Sequence, residues 1–187
     1  MRFTVVYDAC VLYPAPLRDF LLRLATAGLF AAKWTDRIHD EWTSNVLRDR
    51  PELEHKLRRT RILMNESVPD CLVDGYKSLE TGLELPDDND RHVLAAAIRA
   101  GAQSIITFNL RDFPEHALSP YDIEAIHPDT FTEQQLDLNE GKVLVTAKAH
   151  RAALRNPPKD VDAYLETLSA QGLVVTAERL ADFKALI

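Results

Sequence analysis

Cysteine, long apolar runs and basic charge are all scarce in this chain. The two cysteines among 187 residues, Cys10 and Cys71, lack the spacing of a metal-binding pair, and in a reducing compartment a bridge between them is not expected. Both read as small buried residues. No stretch approaches the ~18 consecutive apolar residues of a membrane helix, and the opening apolar run at residues 3–7 is too short for the core of a signal peptide. The expectation is a cytoplasmic protein with no membrane contact. Basic residues number 22 against 29 acidic ones, a net charge of −7. A surface that displaces counterions from nucleic-acid phosphates is usually basic overall, so any such role here rests on local clusters of cations.

What remains is ordinary globular sequence, 46% apolar and 27% charged, without repeats or low-complexity segments. The length suits one core with a small appendage, since single domains run to roughly 100–200 residues. Residues 3–7 read as a first strand. Pro14 and Pro16 head a helical pattern through Leu17, Phe20, Leu21, Leu24 and Ala25, closed by Gly28. A second strand is expected at 29–34, then a helix capped by Thr35 with Ile38, Trp42 and Val46 on one face. Pro51 restarts a helix that runs to Met64, and a brief third strand is expected at 71–73. Pro86-Asp87-Asp88-Asn89-Asp90 is a turn and cap signal before a helix over 93–98, closed by Gly101. Strands are expected at 104–107 and 122–126. Alternation of strand and helix implies a parallel sheet. Beyond Pro128 the pattern becomes helix after helix, with Pro157-Pro158 separating two of them.

Four acids stand where such a fold would deliver carboxylates to one end of the sheet: Asp8, Glu41, Asp90 and Asp112. Asp8 directly follows the first strand, and Asp112 closes Thr107-Phe108-Asn109-Leu110-Arg111-Asp112 just past another. Ligands of open α/β sheets collect outside the carboxyl ends of the strands. Each acid also has an ordinary reading. Asp8 can end a strand in a turn, Glu41 can lie on a solvated helix flank, and Asp90 can be an N-cap whose role Asp87 or Asp88 shares. Asp112 can open a turn before Phe113-Pro114. If the acids meet, their mutual repulsion calls for a cation. Mg²⁺ suits them, because it takes oxygen ligands, keeps several waters and promotes phosphodiester hydrolysis.

The strand ending in Asp8, the segment from Thr35 to Glu41 before Trp42, the Pro86-to-Ala97 helix start and the Thr107-to-Pro114 stretch together resemble a PIN domain. More narrowly they resemble the VapC-type ribonuclease toxins of toxin–antitoxin pairs. The resemblance covers about residues 1–128. It implies a three-layer α/β/α fold with a five-stranded parallel sheet, followed by a C-terminal helical extension over 129–187. It further implies dependence on Mg²⁺ or Mn²⁺, an RNA substrate, a cognate antitoxin and a homodimer. Carried over, its first acid falls on Asp8, its helix glutamate on Glu41 and its third acid on Asp90. The fourth position falls on Asn109 or Asp112, with Asp112 as the charged group and Asn109 as a polar ligand or water-holder. Thr107 is a supporting hydroxyl.

Cations cluster between Arg48 and Arg61, and Arg48, Arg58, Arg59 and Arg61 are candidates for gripping an RNA backbone. Arg91 and Arg111 lie close to the acids in sequence, where they can meet either a phosphate or the carboxylates themselves. His39 and His92 read as packed or solvated helix residues. A phosphatase of the haloacid dehalogenase type also places an aspartate after its first strand, but it needs a second one two residues later, where this chain has Cys10. Two other readings stay open: an inactive PIN-like module that only binds RNA or protein, and a housekeeping RNA-processing nuclease.

Overall fold

Apolar residues on both faces make residues 4–7 the strand to be buried in the middle of the sheet. In the computed structural model, which describes residues 3–187, Val5, Val6 and Tyr7 of β1 (Thr4–Tyr7) are fully buried. The chain continues through α1 (Ala9–Leu12), α2 (Ala15–Thr26), β2 (Ala31–Lys33), α3 (Asp36–Asp49), α4 (Glu54–Ser67), α5 (Lys77–Glu80) and α6 (Arg91–Ala100). Then follow β3 (Ser104–Ile106), α7 (Glu115–Leu118), β4 (Glu124–Ile126), α8 (Pro128–Leu138), α9 (Glu140–Ala153), α10 (Val161–Ala170) and α11 (Val174–Ala181). Residues 3–13 and 30–127 form one compact unit, and 14–29 with 128–187 form another. No helix of the described residues is long and apolar enough to cross a membrane.

The first unit is a mixed α/β fold on a parallel sheet of order β2-β1-β3-β4. The sheet has four strands where the sequence suggested five. The segment at 71–73 does run parallel to Trp34, with Trp34 N–H donating to Cys71 at 2.9 Å and Val73 N–H donating to Trp34 at 2.9 Å. Asp70 before it adopts a left-handed turn and Asp74-Gly75 follows at once, so the pairing stops at an isolated bridge. Tyr7 stacks on Trp34 at a centroid distance of 6.2 Å and meets Phe30 edge-on. Each such buried ring contributes about 2–3 kcal/mol.

Local signals account for the elements around the sheet. The Thr35 hydroxyl accepts from Ile38 N–H at 3.0 Å and opens α3. Small residues Ala95, Ala96 and Ala97, all fully buried, let α6 lie against β1 and β3. Gly101 closes that helix at φ +60, a left-handed cap that side chains rarely adopt. His39, fully buried, is also accounted for by packing. Its Nδ1 accepts from Trp42 Nε1 at 3.0 Å, so the proton sits on Nε2, 2.9 Å from Asn65 Oδ1. Burial lowers its pKa, and the neutral ring ties α3 to α4 through Asn65, which also accepts from Trp34 Nε1.

The second unit is entirely helical. Leu17, Phe20, Leu21 and Leu24 of α2 are buried, as are Phe131, Val143, Ala147, Tyr164, Leu168 and Leu180 of α8–α11. His150 is fully buried between Phe20 and Tyr164, and its pKa is pushed down to about 4, chiefly by burial. Asp129, on the first turn of α8, caps α11 across 46 residues of sequence. Its carboxylate accepts from Val175 N–H, Thr176 N–H and the Thr176 hydroxyl at 2.9, 2.9 and 2.7 Å. A charged cap with several donors is worth more than a neutral one. Asp129→Ala is therefore expected to lower stability by about 2–3 kcal/mol in urea or thermal unfolding. Amide exchange should accelerate first in α11, and unchanged exchange there would contradict the capping role.

Candidate active site

Strand register assembles the first part of the site. Tyr7 and Ile106 are partners in the β1–β3 ladder, so the next residues along, Asp8 and Thr107, come side by side at the carboxyl ends of the two strands. The backbone ladder carries on to them, with Asp8 N–H donating to Ile106 and Thr107 N–H to Ile126, each at 3.1 Å. Asp8 is 5% exposed and caps α1, where Oδ1 accepts from Ala9 N–H at 2.6 Å. Its Oδ2 accepts from the Thr107 hydroxyl at 2.7 Å and from the Cys10 thiol at 3.2 Å. Thr107 in turn accepts from Asn109 N–H at 2.9 Å. A buried carboxylate needs such donors, and here they fix its orientation.

The hydroxyl of Thr107, only a supporting residue in the sequence reading, is thus a hub. Asn109 meets it through the backbone, with an exposed residue position. Cys10 stands where the phosphatase alternative needed an acid. Burial first, and the Asp8 charge second, push its thiol up to about 12, so it is an unreactive donor.

Asp90 ends the 3-10 turn Asp88–Asp90 and enters α6 half-buried. Its carboxyl is pushed up to about 7, first by burial and then by the charges of Asp8, Asp87 and Asp112, with His92 acting the other way. Asp112, on the turn Leu110–Asp112, thus shares one electrostatic field with Asp8 and Asp90. Glu41 is held differently. His92 Nε2 lies 2.8 Å and Arg37 Nε 3.4 Å from its Oε1.

Among the described residues, no three His, Cys, Asp or Glu side chains converge tightly enough to cage an ion by themselves. A hard divalent cation does not need a full protein cage, because Mg²⁺ keeps several of its waters and is anchored by one or two carboxylates. The all-oxygen donors of Asp8, Asp90 and Asp112 fit such an ion, as does the raised pKa of the half-buried Asp90, to which the other acids add after burial.

Three of the six arginines expected to contact RNA are engaged with acids. Arg61 bridges Asp40 at 2.6 Å and Asp36 at 3.4 Å, Arg58 pairs with Glu54 at 3.1 Å, and Arg91 with Asp88 at 2.5 Å. Arg48 donates to Asn45, while Arg59 and Arg111 occupy exposed positions.

The sequence pattern that defines the PIN domain matches residues 4–111, which include Asp8, Glu41, Asp90 and Thr107. The chain belongs to the PIN-domain family. The VapC50 C-terminal domain matches residues 128–182, the helices that follow the PIN domain. Among curated proteins, "Putative ribonuclease VapC50" of Mycobacterium tuberculosis is 45% identical over 82 residues, covering 44% of this chain and 48% of that protein. The chain thus spans about half the length of the curated relative it matches. No solved structure matches it.

Two contacts in this PIN domain were not anticipated from sequence, those of Arg37 and His92 with Glu41. Arg37 is legible afterwards as the i, i+4 partner of Glu41. His92 had no such local signal.

The Asp90 carboxyl yields a pH prediction. Its pKa rises from 3.8 to about 7 on folding, so between those values the folded state binds the extra proton and stability falls as pH rises. His150 contributes in the opposite sense, gaining stability as pH rises from about 4 toward 6.5. The measurement is therefore the difference between Asp90→Asn and wild type, free of divalent metal. The advantage of the variant should be near zero at about pH 4 and grow to roughly 1–2 kcal/mol at pH 8, allowing for solvent screening. A pH-independent difference would mean that Asp90 is neither desolvated nor held among like charges.

Proposed function

We propose that this protein is a metal-dependent endoribonuclease, acting as the toxin of a toxin–antitoxin pair. The observation that carries the reading is Asp8, held beside Thr107 at the carboxyl ends of β1 and β3, in one electrostatic field with Asp112 and with Asp90, whose carboxyl burial first and these charges second push up to about 7. Mg²⁺ or Mn²⁺ held by these three, directly or through waters, supplies Lewis acidity and an acidified water for phosphodiester hydrolysis. The chain's own residues do the rest. Thr107 and Ala9 N–H lock Asp8 in one orientation. Glu41, anchored through Oε1, orients the attacking water. Arg48, Arg59 and Arg111, at exposed positions, offer guanidinium groups to the RNA backbone. Arg58, Arg61 and Arg91 join them by exchanging their acidic partners for phosphate.

The match to the VapC50 C-terminal domain and the name of the relative support the toxin assignment. A cognate antitoxin, a homodimer, a cytoplasmic location and a functional division near residue 128 belong to the same reading. The nuclease centre in it is drawn wholly from residues 8–112.

The test is cleavage of labelled transfer and ribosomal RNA by the purified chain with Mg²⁺ or Mn²⁺. Cutting is expected to stop with EDTA and to fall by more than about 100-fold in Asp8→Asn and in Asp90→Asn. Cutting indifferent to both variants would point to a contaminant, and no cutting at all to a binding module. Growth arrest on expression, relieved by the product of an adjacent gene, separates a toxin from a housekeeping nuclease.

A further inference from the structure

His92 is 1% exposed, yet neither ring nitrogen makes a well-aligned hydrogen bond. An imidazole that serves only to fill space is costly under those conditions, because its desolvated nitrogens go unrewarded. The polar atom within reach is Glu41 Oε1, 2.8 Å from Nε2, although the carboxylate sits off the ring N–H axis. That contact joins the first turn of α6, two residues past Asp90, to the middle of α3.

The second holder of Glu41 points the same way. Arg37 Nε lies 3.4 Å from the same Oε1, while its Nη1 is 3.2 Å from Glu80 Oε2 and its Nη2 donates to the Asn89 carbonyl at 3.3 Å. The guanidinium therefore spans Glu41 and the backbone that leads into Asp90. Both contacts of Glu41 are made through Oε1, which leaves Oε2 for the reaction. Groups that orient an active-site carboxylate in this way commonly contribute 10–100-fold to activity.

Resting on the nuclease reading, we propose that His92 is a positioning residue, which pins Glu41 through Oε1 and sets the place of Oε2 relative to Asp90. The role is mechanical and needs no change of charge on the ring.

The experiment is a cycle of His92→Ala, Glu41→Gln and the double variant, assayed on one RNA with saturating Mn²⁺. His92→Ala should lower kcat about 10–100-fold with KM within about twofold. In the Glu41→Gln background it should cost nothing further, because the two residues act as one unit. His92→Gln, which keeps an N–H near the Nε2 position, should recover most of the activity. In the metal-free protein, Glu41→Gln should shift the His92 ring ¹⁵N resonances.

Wild-type activity in His92→Ala, or an equal loss in both backgrounds, would overturn the proposal and leave His92 as packing. If His92→Ala does not fold, His92→Asn, which fills the site but is too short to reach Oε1, is judged by the same cycle. A wild-type chain that cuts no RNA sinks the nuclease reading and the proposal with it. The ring resonances answer independently of catalysis, and if they are indifferent to Glu41→Gln the contact itself is refuted.

Discussion

The parallel pairing of β1 with β3 is the constraint on which the site depends. With Tyr7 opposite Ile106, the residues that leave the two strands are Asp8 and Thr107, and the hydroxyl of one reaches the carboxylate of the other at 2.7 Å. A slip of one residue would turn Val5, Val6 and Tyr7 to the opposite faces and separate that pair. The complete burial of Val5, Val6 and Tyr7 makes such a slip costly. The packing that forms the core therefore also sets the position of the first acid.

Around that pair the chain tolerates unfavourable electrostatics. Asp90 would be more comfortable in water, and its carboxyl is pushed up to about 7 first by burial and then by the charges of Asp8, Asp87 and Asp112. Other acids are paired within the fold, Asp36 and Asp40 with Arg61, Glu54 with Arg58 and Asp88 with Arg91. The contrast separates acids that are paired from acids that are gathered. Strain of the second kind is retained where a site needs it.

The two units solve different problems. In the α/β unit several polar contacts converge on the candidate site, from buried Thr107 to Asp8 and from buried His92 and part-exposed Arg37 to Glu41. The helical unit uses its own for cohesion. Asp129 clips α8 to α11, and His150 is wedged beside Phe20 and Tyr164. Residues 14–29, which precede β2 in the chain, pack with the C-terminal helices, so the second unit draws on both ends of the sequence.

Much of this could be read from the sequence, and for identifiable reasons. Apolar residues through Val5, Val6 and Tyr7 announced a buried parallel strand, Thr35 and Gly101 marked the ends of α3 and α6, and Asp8, Asp90 and Asp112 stood past strands or at a helix start. These signals are local, carried by one residue and its near neighbours. The fifth strand failed because turns at both ends of 71–73 cut its pairing to a bridge, a matter of how long neighbouring backbones stay parallel. The engagement of the arginines by Asp36, Asp40, Glu54 and Asp88, the Thr107 hub and the grip of His92 on Glu41 likewise depend on partners brought together by folding. The sequence by itself determined which elements form and which residue types stand at their ends. Only the tertiary structure decided which carboxylates are left to repel one another and which are held, because that depends on distances between residues up to 99 positions apart in the chain.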